Sequence, residues 1–167
     1  VRASHLVLPG VGAFKASMEK IMSKLPLDVI SAQISLGKPL LGICVGMQVF
    51  AESGFEFEIH PGLNLIPGSE VIELPTKVPK PHVGWDSIEI QKSHPILNNI
   101  ENGADFYFVH SYFVSKIEDS SLIASCDYGV KFPAVLANNN LIGVQFHPEK
   151  SQNNGDILLQ NFVELIA

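Results

Sequence analysis

Cys44 lies between two glycines in the segment Gly42-Ile43-Cys44-Val45-Gly46. This is the G-x-nucleophile-x-G layout, in which a strand turns sharply into a helix and projects the side chain at the turn. Flanking glycines permit that geometry because no Cβ blocks the strained backbone or the neighbouring chain. A thiol held there meets a helix N-terminus, whose dipole and free N–H groups favour thiolate over thiol. The alternative for Cys44 is a small buried hydrophobe, the commonest state of a free cysteine. Nucleophilic chemistry also needs a base, and Gln145-Phe146-His147-Pro148-Glu149-Lys150-Ser151 contains one. A thiolate attacking a carboxamide requires an imidazole that takes the thiol proton and later protonates the leaving amine, with a carboxylate on its other nitrogen. His147 and Glu149 are two residues apart, so an extended strand end points both to one side. A surface His-Pro turn with a solvated Glu is the competing reading.

A third segment, Pro9-Gly10-Val11-Gly12-Ala13-Phe14, can bring backbone N–H groups close to a substrate oxygen. Gly10, Val11 and Gly12, with the N–H of Val45, would form an oxyanion hole for a tetrahedral intermediate. A phosphate-binding loop is the rival here, but the spacing lacks both G-x-G-x-x-G and a following Lys-Ser/Thr. His5, His60, His82, His94 and His110 show no metal-ligand spacing with one another or with the cysteines. Neither a metal nor a cofactor is expected.

The elements that must position these residues follow from the apolar pattern. Residues 6–8 read as a short buried strand ended by Pro9-Gly10, and Phe14, Met18, Ile21, Met22 and Leu25 trace a helix opened by Gly12. A second helix is predicted over residues 28–35. The continuous apolar run 39–43 predicts a strand covered on both faces, with a helix starting through Met47, Val49, Phe50 and Ala51. Beyond Val71 the texture changes to short strands, predicted at 87–90, 106–109, 122–125, 132–137 and 141–145, with a hairpin turn at Asn138-Asn139-Asn140. Residues 156–166 close the chain as an amphipathic helix carrying Ile157, Leu158, Phe162, Val163 and Ile166. The implied fold is α/β, a mostly parallel central sheet flanked by helices with an added antiparallel hairpin region, in one domain over residues 1–167.

Composition narrows the function classes. Against 17 Asp and Glu there are 11 Lys and Arg, a formal charge of −6, with no basic stripe of the kind nucleic-acid binders carry. The longest uncharged apolar stretch, residues 39–51, contains Gln48 and is shorter than the roughly 20 residues a membrane span needs. Residues 1–5 lack the layout of a secretory signal. Two cysteines make no disulfide framework, which favours a reducing, cytoplasmic setting. The chain opens with Val and enters an apolar run within six residues, as though the reading began just before a strand.

Together the cysteine elbow, the downstream His-Pro-Glu and the upstream Pro-Gly loop resemble the class I, or triad-type, glutamine amidotransferases. Residues 8–14, 42–48, 62–68, 81–85, 107–112 and 145–151 are most similar to the glutaminase subunits of imidazole glycerol phosphate synthases. The resemblance implies that Cys44 is the nucleophile, His147 the general acid and base, and Glu149 its orienting partner. It implies that Gln48, Glu56, Ser111 and Tyr112 bind glutamine, and that Trp85, Tyr107 and Lys150 face a cyclase subunit in a heterodimer. Phe55 and Asp86 depart from the residues usual there. Members of the family begin with a further strand, loop and helix, so the resemblance also implies an N-terminally truncated chain lacking its first βα unit.

Overall fold

The computed structural model describes residues 3–166. Strand β1 (Leu6–Gly10) leads into helices α1 (Phe14–Lys24) and α2 (Leu27–Ser35), then strand β2 (Leu40–Cys44). All five residues of β2 are buried, as a strand covered on both faces requires. Helix α1 buries Phe14, Met18 and Ile21, four and three residues apart, on one stripe. Met22, expected on that stripe, is 64% exposed, because one step past Ile21 turns a side chain by about 100°.

After Cys44 the chain makes a single helical turn, α3 (Val45–Gln48). The helix expected to run on through Ala51 does not form. Instead the carbonyls of Val49, Phe50 and Ala51 accept from the backbone N–H groups of Leu63, Leu65 and Asn64 at 2.8, 2.9 and 3.1 Å, which pulls the segment out of helical pairing. It continues as β3 (Ala51–Glu56), followed by β4 (Glu58–Pro61) and β5 (Ile66–Glu73). Next come β6 (His82–Ser87), β7 (Glu89–Ile90), β8 (Asp105–His110) and β9 (Tyr112–Ser115). The strand expected over residues 87–90 is in fact split at Ile88, which leaves both ladders to bond Ala104 and Gly103. A four-stranded sheet has the order β4-β3-β5-β9, and β6 pairs antiparallel with β8 as a separate ribbon.

The remaining strands, β10 (Leu122–Asp127), β11 (Lys131–Asn138) and β12 (Leu141–Val144), complete a six-stranded sheet of order β1-β2-β12-β11-β10-β7. Within this six-stranded sheet parallel pairing is confined to β1, β2 and β12, while β11 folds back on β12 through the expected asparagine turn. Helix α4 (Gln152–Glu164) packs Leu158 and Phe162 into the core. It starts earlier than expected and stops at Glu164, leaving Val163 and Ile166 exposed. Among the described residues no helix is long and apolar enough to cross a membrane.

The parallel trio determines where chemistry can occur. Parallel neighbours end on the same side of a sheet, and in open α/β folds ligands bind outside those carboxyl ends. Gly10 lies opposite Cys44, and Ile43 opposite Val144. The glycine loop, the cysteine turn and the His-Pro-Glu turn therefore emerge side by side.

Candidate active site

Cys44 has φ 54° and ψ −115°, a strained conformation for an L-residue that costs on the order of 1–3 kcal/mol and persists only where the surroundings enforce it. Backbone packing enforces it here. A Cβ on Gly46 would stand 1.7 Å from the Leu8 carbonyl oxygen, and one on Gly42 would stand 2.6 Å from the Gly46 oxygen. The ends of β1 and β2 thus pack directly against α3, and the thiol is driven outward at the turn.

His147 follows β12 and is held by the β6–β8 ribbon. Its backbone N–H donates to the Tyr107 carbonyl at 2.9 Å. Ser151 Oγ donates to the His147 carbonyl at 2.6 Å and accepts from the Tyr107 N–H at 3.0 Å, which closes the turn on β8. His147 Nδ1 lies 2.7 Å from Glu149 Oε1. A carboxylate only accepts, so Nδ1 carries a proton and Nε2 is left as the basic nitrogen of the neutral ring. Cys44 and His147 line one cavity of about 150 Å³, with Val11, Gly12, Gln48 and Ser111 among its other walls.

Cys44 is 3% exposed. Its S–H donates to the Val109 carbonyl at 3.7 Å, and Gln145 Nε2 donates to it at 3.8 Å. Burial pushes the thiol up to about 11, against the pull of the Val45 N–H; Glu149 adds to the rise and Lys150 opposes it. The lowering expected of the helix terminus is present in the Val45 N–H but is outweighed by burial. One helical turn supplies little dipole, and desolvation of the anion outweighs it. Cys44 is accordingly a thiol, and attack by its sulfur requires a base within the same cavity.

Gln48 is buried, with Nε2 donating to the Tyr112 carbonyl at 2.7 Å and to Gln145 Oε1 at 3.2 Å. Both amide protons are thereby committed, and Gln48 keeps its Oε1 as an acceptor. Ser111 and Tyr112 line the same cavity. Glu56 does not line it: Glu56 Oε2 accepts from the Phe14 N–H at 2.6 Å, at the start of α1. Its charge still reaches the Tyr112 hydroxyl, which burial and then Glu73 and Glu56 push upward. Val11 is exposed and Gly12 has φ 94° in open space, both beside the thiol, whereas Gly10 packs under them against the Gly46 nitrogen. Trp85 and Tyr107 meet edge to face at 5.9 Å, and Lys150 Nζ stands 5.8 Å above the Tyr107 ring. Trp85 is half exposed, so this group presents an aromatic and cationic face to solvent.

Gln145, the Val109 carbonyl and Ser151 are the groups that sequence reasoning missed. For Gln145 a signal existed, since it is a lone amide closing the apolar run of β12. The two backbone-dependent roles left none.

A strained cysteine elbow and a carboxylate-bound histidine, carried at the ends of adjacent parallel strands, have the layout of a cysteine–histidine–carboxylate hydrolase on an open α/β sheet. The family model for class I glutamine amidotransferases matches residues 3–165, and the chain belongs to that family. It is 46% identical over 165 residues to the imidazole glycerol phosphate synthase subunit HisH of Archaeoglobus fulgidus, covering 98% of this chain and 80% of that protein. The corresponding subunit of Oceanobacillus iheyensis is 44% identical, covering 99% and 82%. Among solved structures, a glutamine amidotransferase from Thermotoga maritima superposes with a TM-score of 0.65 at 15% identity, over 96% of this chain and 63% of that one. PurLQS from the same organism gives 0.67 at 16% identity, over 94% and 78%. At such identities the two structures speak for the fold alone.

Proposed function

We propose that Cys44, His147 and Glu149 hydrolyse glutamine through a thioester. The observation that carries this reading is the shared cavity in which the strained thiol and the Glu149-bound imidazole meet. His147 Nε2 takes the thiol proton as sulfur adds to the carboxamide carbon. The oxyanion forms against the N–H groups of Val45 and the Val11–Gly12 loop, with Gly10 as the packed base of that loop. Collapse of the intermediate breaks the C–N bond, and the imidazolium returns the proton to the leaving ammonia. Water, deprotonated by the same imidazole, then cleaves the thioester to glutamate. Gln48, Ser111 and Tyr112 line the space for the amino-acid end of the substrate, and Glu56 supplies charge at its margin.

The chain acts as the glutaminase subunit of imidazole glycerol phosphate synthase, in histidine biosynthesis. Its partner in this reading is the cyclase subunit, joined as a heterodimer, which couples the ammonia to a phosphorylated ribulosyl intermediate. The group of Trp85, Tyr107 and Lys150, with Trp85 half exposed and Lys150 also lining the cavity, supports a docking face beside the site. The test is Cys44→Ala in the assembled enzyme. Glutamine-dependent turnover is expected to vanish while turnover with added ammonia stays nearly intact; glutamine use surviving the substitution would falsify the assignment.

A further inference from the structure

We propose that Gln145 belongs to the nucleophile's machinery, its side-chain N–H donating to Cys44 Sγ and favouring the thiolate as it forms. This inference rests on the reading of Cys44 as the nucleophile.

A chain of hydrogen bonds fixes which end of the Gln145 amide faces the sulfur. The Tyr112 carbonyl can only accept, so the Gln48 group 2.7 Å from it is the nitrogen. That same nitrogen lies 3.2 Å from one atom of the Gln145 amide, which must then be the oxygen, since two NH₂ groups do not bond each other in this geometry. The remaining end of Gln145, 3.8 Å from Cys44 Sγ, is therefore NH₂. The chain is also anchored on its far side. His110 Nδ1 lies 3.0 Å from the Tyr112 carbonyl and must donate to it, leaving Nε2 as acceptor for His82 Nδ1 at 3.1 Å. Each donor from His82 onward thus has one permitted orientation, and the last points at sulfur.

The effect on chemistry depends on the protonation state of Cys44. As a thiol, the sulfur donates to Val109 and accepts only weakly from Gln145. Once the proton passes to His147, the bond from Gln145 becomes charge-assisted while the Val109 carbonyl loses its donor. The amide thus interacts more strongly with the thiolate than with the thiol, the difference that lowers a pKa. Gln145 is fully buried and carries no formal charge, so water screens this bond very little. The titratable and charged groups around the sulfur are His147, Glu149 and Lys150 from the turn after β12, His110 from β8 and Tyr112 from β9. None of them is altered by changing Gln145.

The experiment is the pH profile of Cys44 alkylation by iodoacetamide in the full chain, read by peptide mass so that Cys126 is scored separately. Gln145→Met removes the donor at similar volume, and Gln145→Glu replaces it with an acceptor of the same shape. The alkylation midpoint is expected to rise by about one unit in Gln145→Met, a roughly tenfold slower reaction below the midpoint, and further in Gln145→Glu. Gln48→Met frees the Gln145 amide without touching residue 145 and is expected to give a smaller shift in the same direction. Loss of fold would expose the thiol and move labelling the opposite way, toward faster reaction. A midpoint that stays in place or falls in all three variants overturns the inference. The Cys44→Ala test of glutamine turnover is separate, so failure of this role for Gln145 is distinguishable from failure of Cys44 as nucleophile.

Discussion

At Cys44 the protein combines two features that oppose each other. Strain and backbone crowding force the side chain into the cavity, while burial keeps it protonated. In the proposed mechanism catalysis then depends on the imidazole, and the imidazole on Glu149. The carboxylate bonds Nδ1 at 2.7 Å from a half-exposed side chain, so Glu149→Gln leaves the fold unchanged but removes the charge that stabilises the imidazolium. We expect kcat for glutamine hydrolysis to fall about 10²- to 10⁴-fold with KM little changed, measured as glutamate production in the assembled enzyme. An unchanged kcat would show that Glu149 does not act through His147. These residues were legible in the sequence because their types and spacing follow from the chemistry. The protonation state of Cys44 was not legible, because it depends on how deeply the other 160-odd residues bury one sulfur.

Among the elements, the β6–β8 ribbon has a distinctive response to acid. His82 and His110 face each other across it, with His82 stacked between Phe108 and Tyr128 at 4.9 and 3.9 Å. Burial lowers both imidazoles, His110 from 6.5 to about 3, with His82 pressing it further down. Below pH 6.5 the unfolded chain takes up protons that the folded ribbon refuses, so stability is full above that pH and is lost as pH falls toward the folded values. From pH 6.5 to 5 His110 alone is expected to remove about 2 kcal/mol, near 1.4 kcal/mol per pH unit. Denaturant midpoints at pH 7.5 and 5 measure this, and His110→Asn should flatten the decline; an equal decline in the variant would assign it elsewhere. The ribbon was only partly legible beforehand. Strands β1, β2 and β12 announce themselves as unbroken apolar runs, whereas β3 (Ala-Glu-Ser-Gly-Phe-Glu) and β5, with Pro67 and Gly68 near its start, carry no such pattern and are not predicted. Those strands exist because tertiary partners complete their ladders, information that no local window contains.

For the whole molecule, the question is when ammonia is released. Ammonia freed without an acceptor is lost to protonation, and the loop carrying Val11 and Gly12 has the conformational freedom to control it. Val11 is 76% exposed, and nothing packs within 4 Å of a side chain built on Gly12. A peptide unit there can turn its N–H toward the oxyanion or away from it, and one missing donor costs roughly 10²- to 10³-fold in rate. We expect glutamate production by the subunit alone to be near silent, to rise with the cyclase and to rise again with acceptor ligand. Equal rates in the three mixtures would sink the coupling. The partner and ligand can drive such a change only by binding the competent loop more tightly.

The insertion of β12 beside β2 also imposes an order on the making of the enzyme. Cys44 and His147 are 147 − 44 = 103 residues apart in the chain, yet they are delivered by strands that are direct neighbours. During synthesis β1, β2 and the cysteine turn emerge well before β12, and the flank of β2 that will receive β12 has to wait for about a hundred further residues. Through that interval Leu40 to Cys44, buried on both faces in the finished sheet, presents an open apolar edge of the kind that recruits other chains. The late arrival of residues 141–147 covers the edge and installs the base in one event. On the proposed mechanism a nascent or incompletely folded subunit accordingly has a cysteine but no imidazole to activate it, and cannot squander glutamine before the sheet is closed.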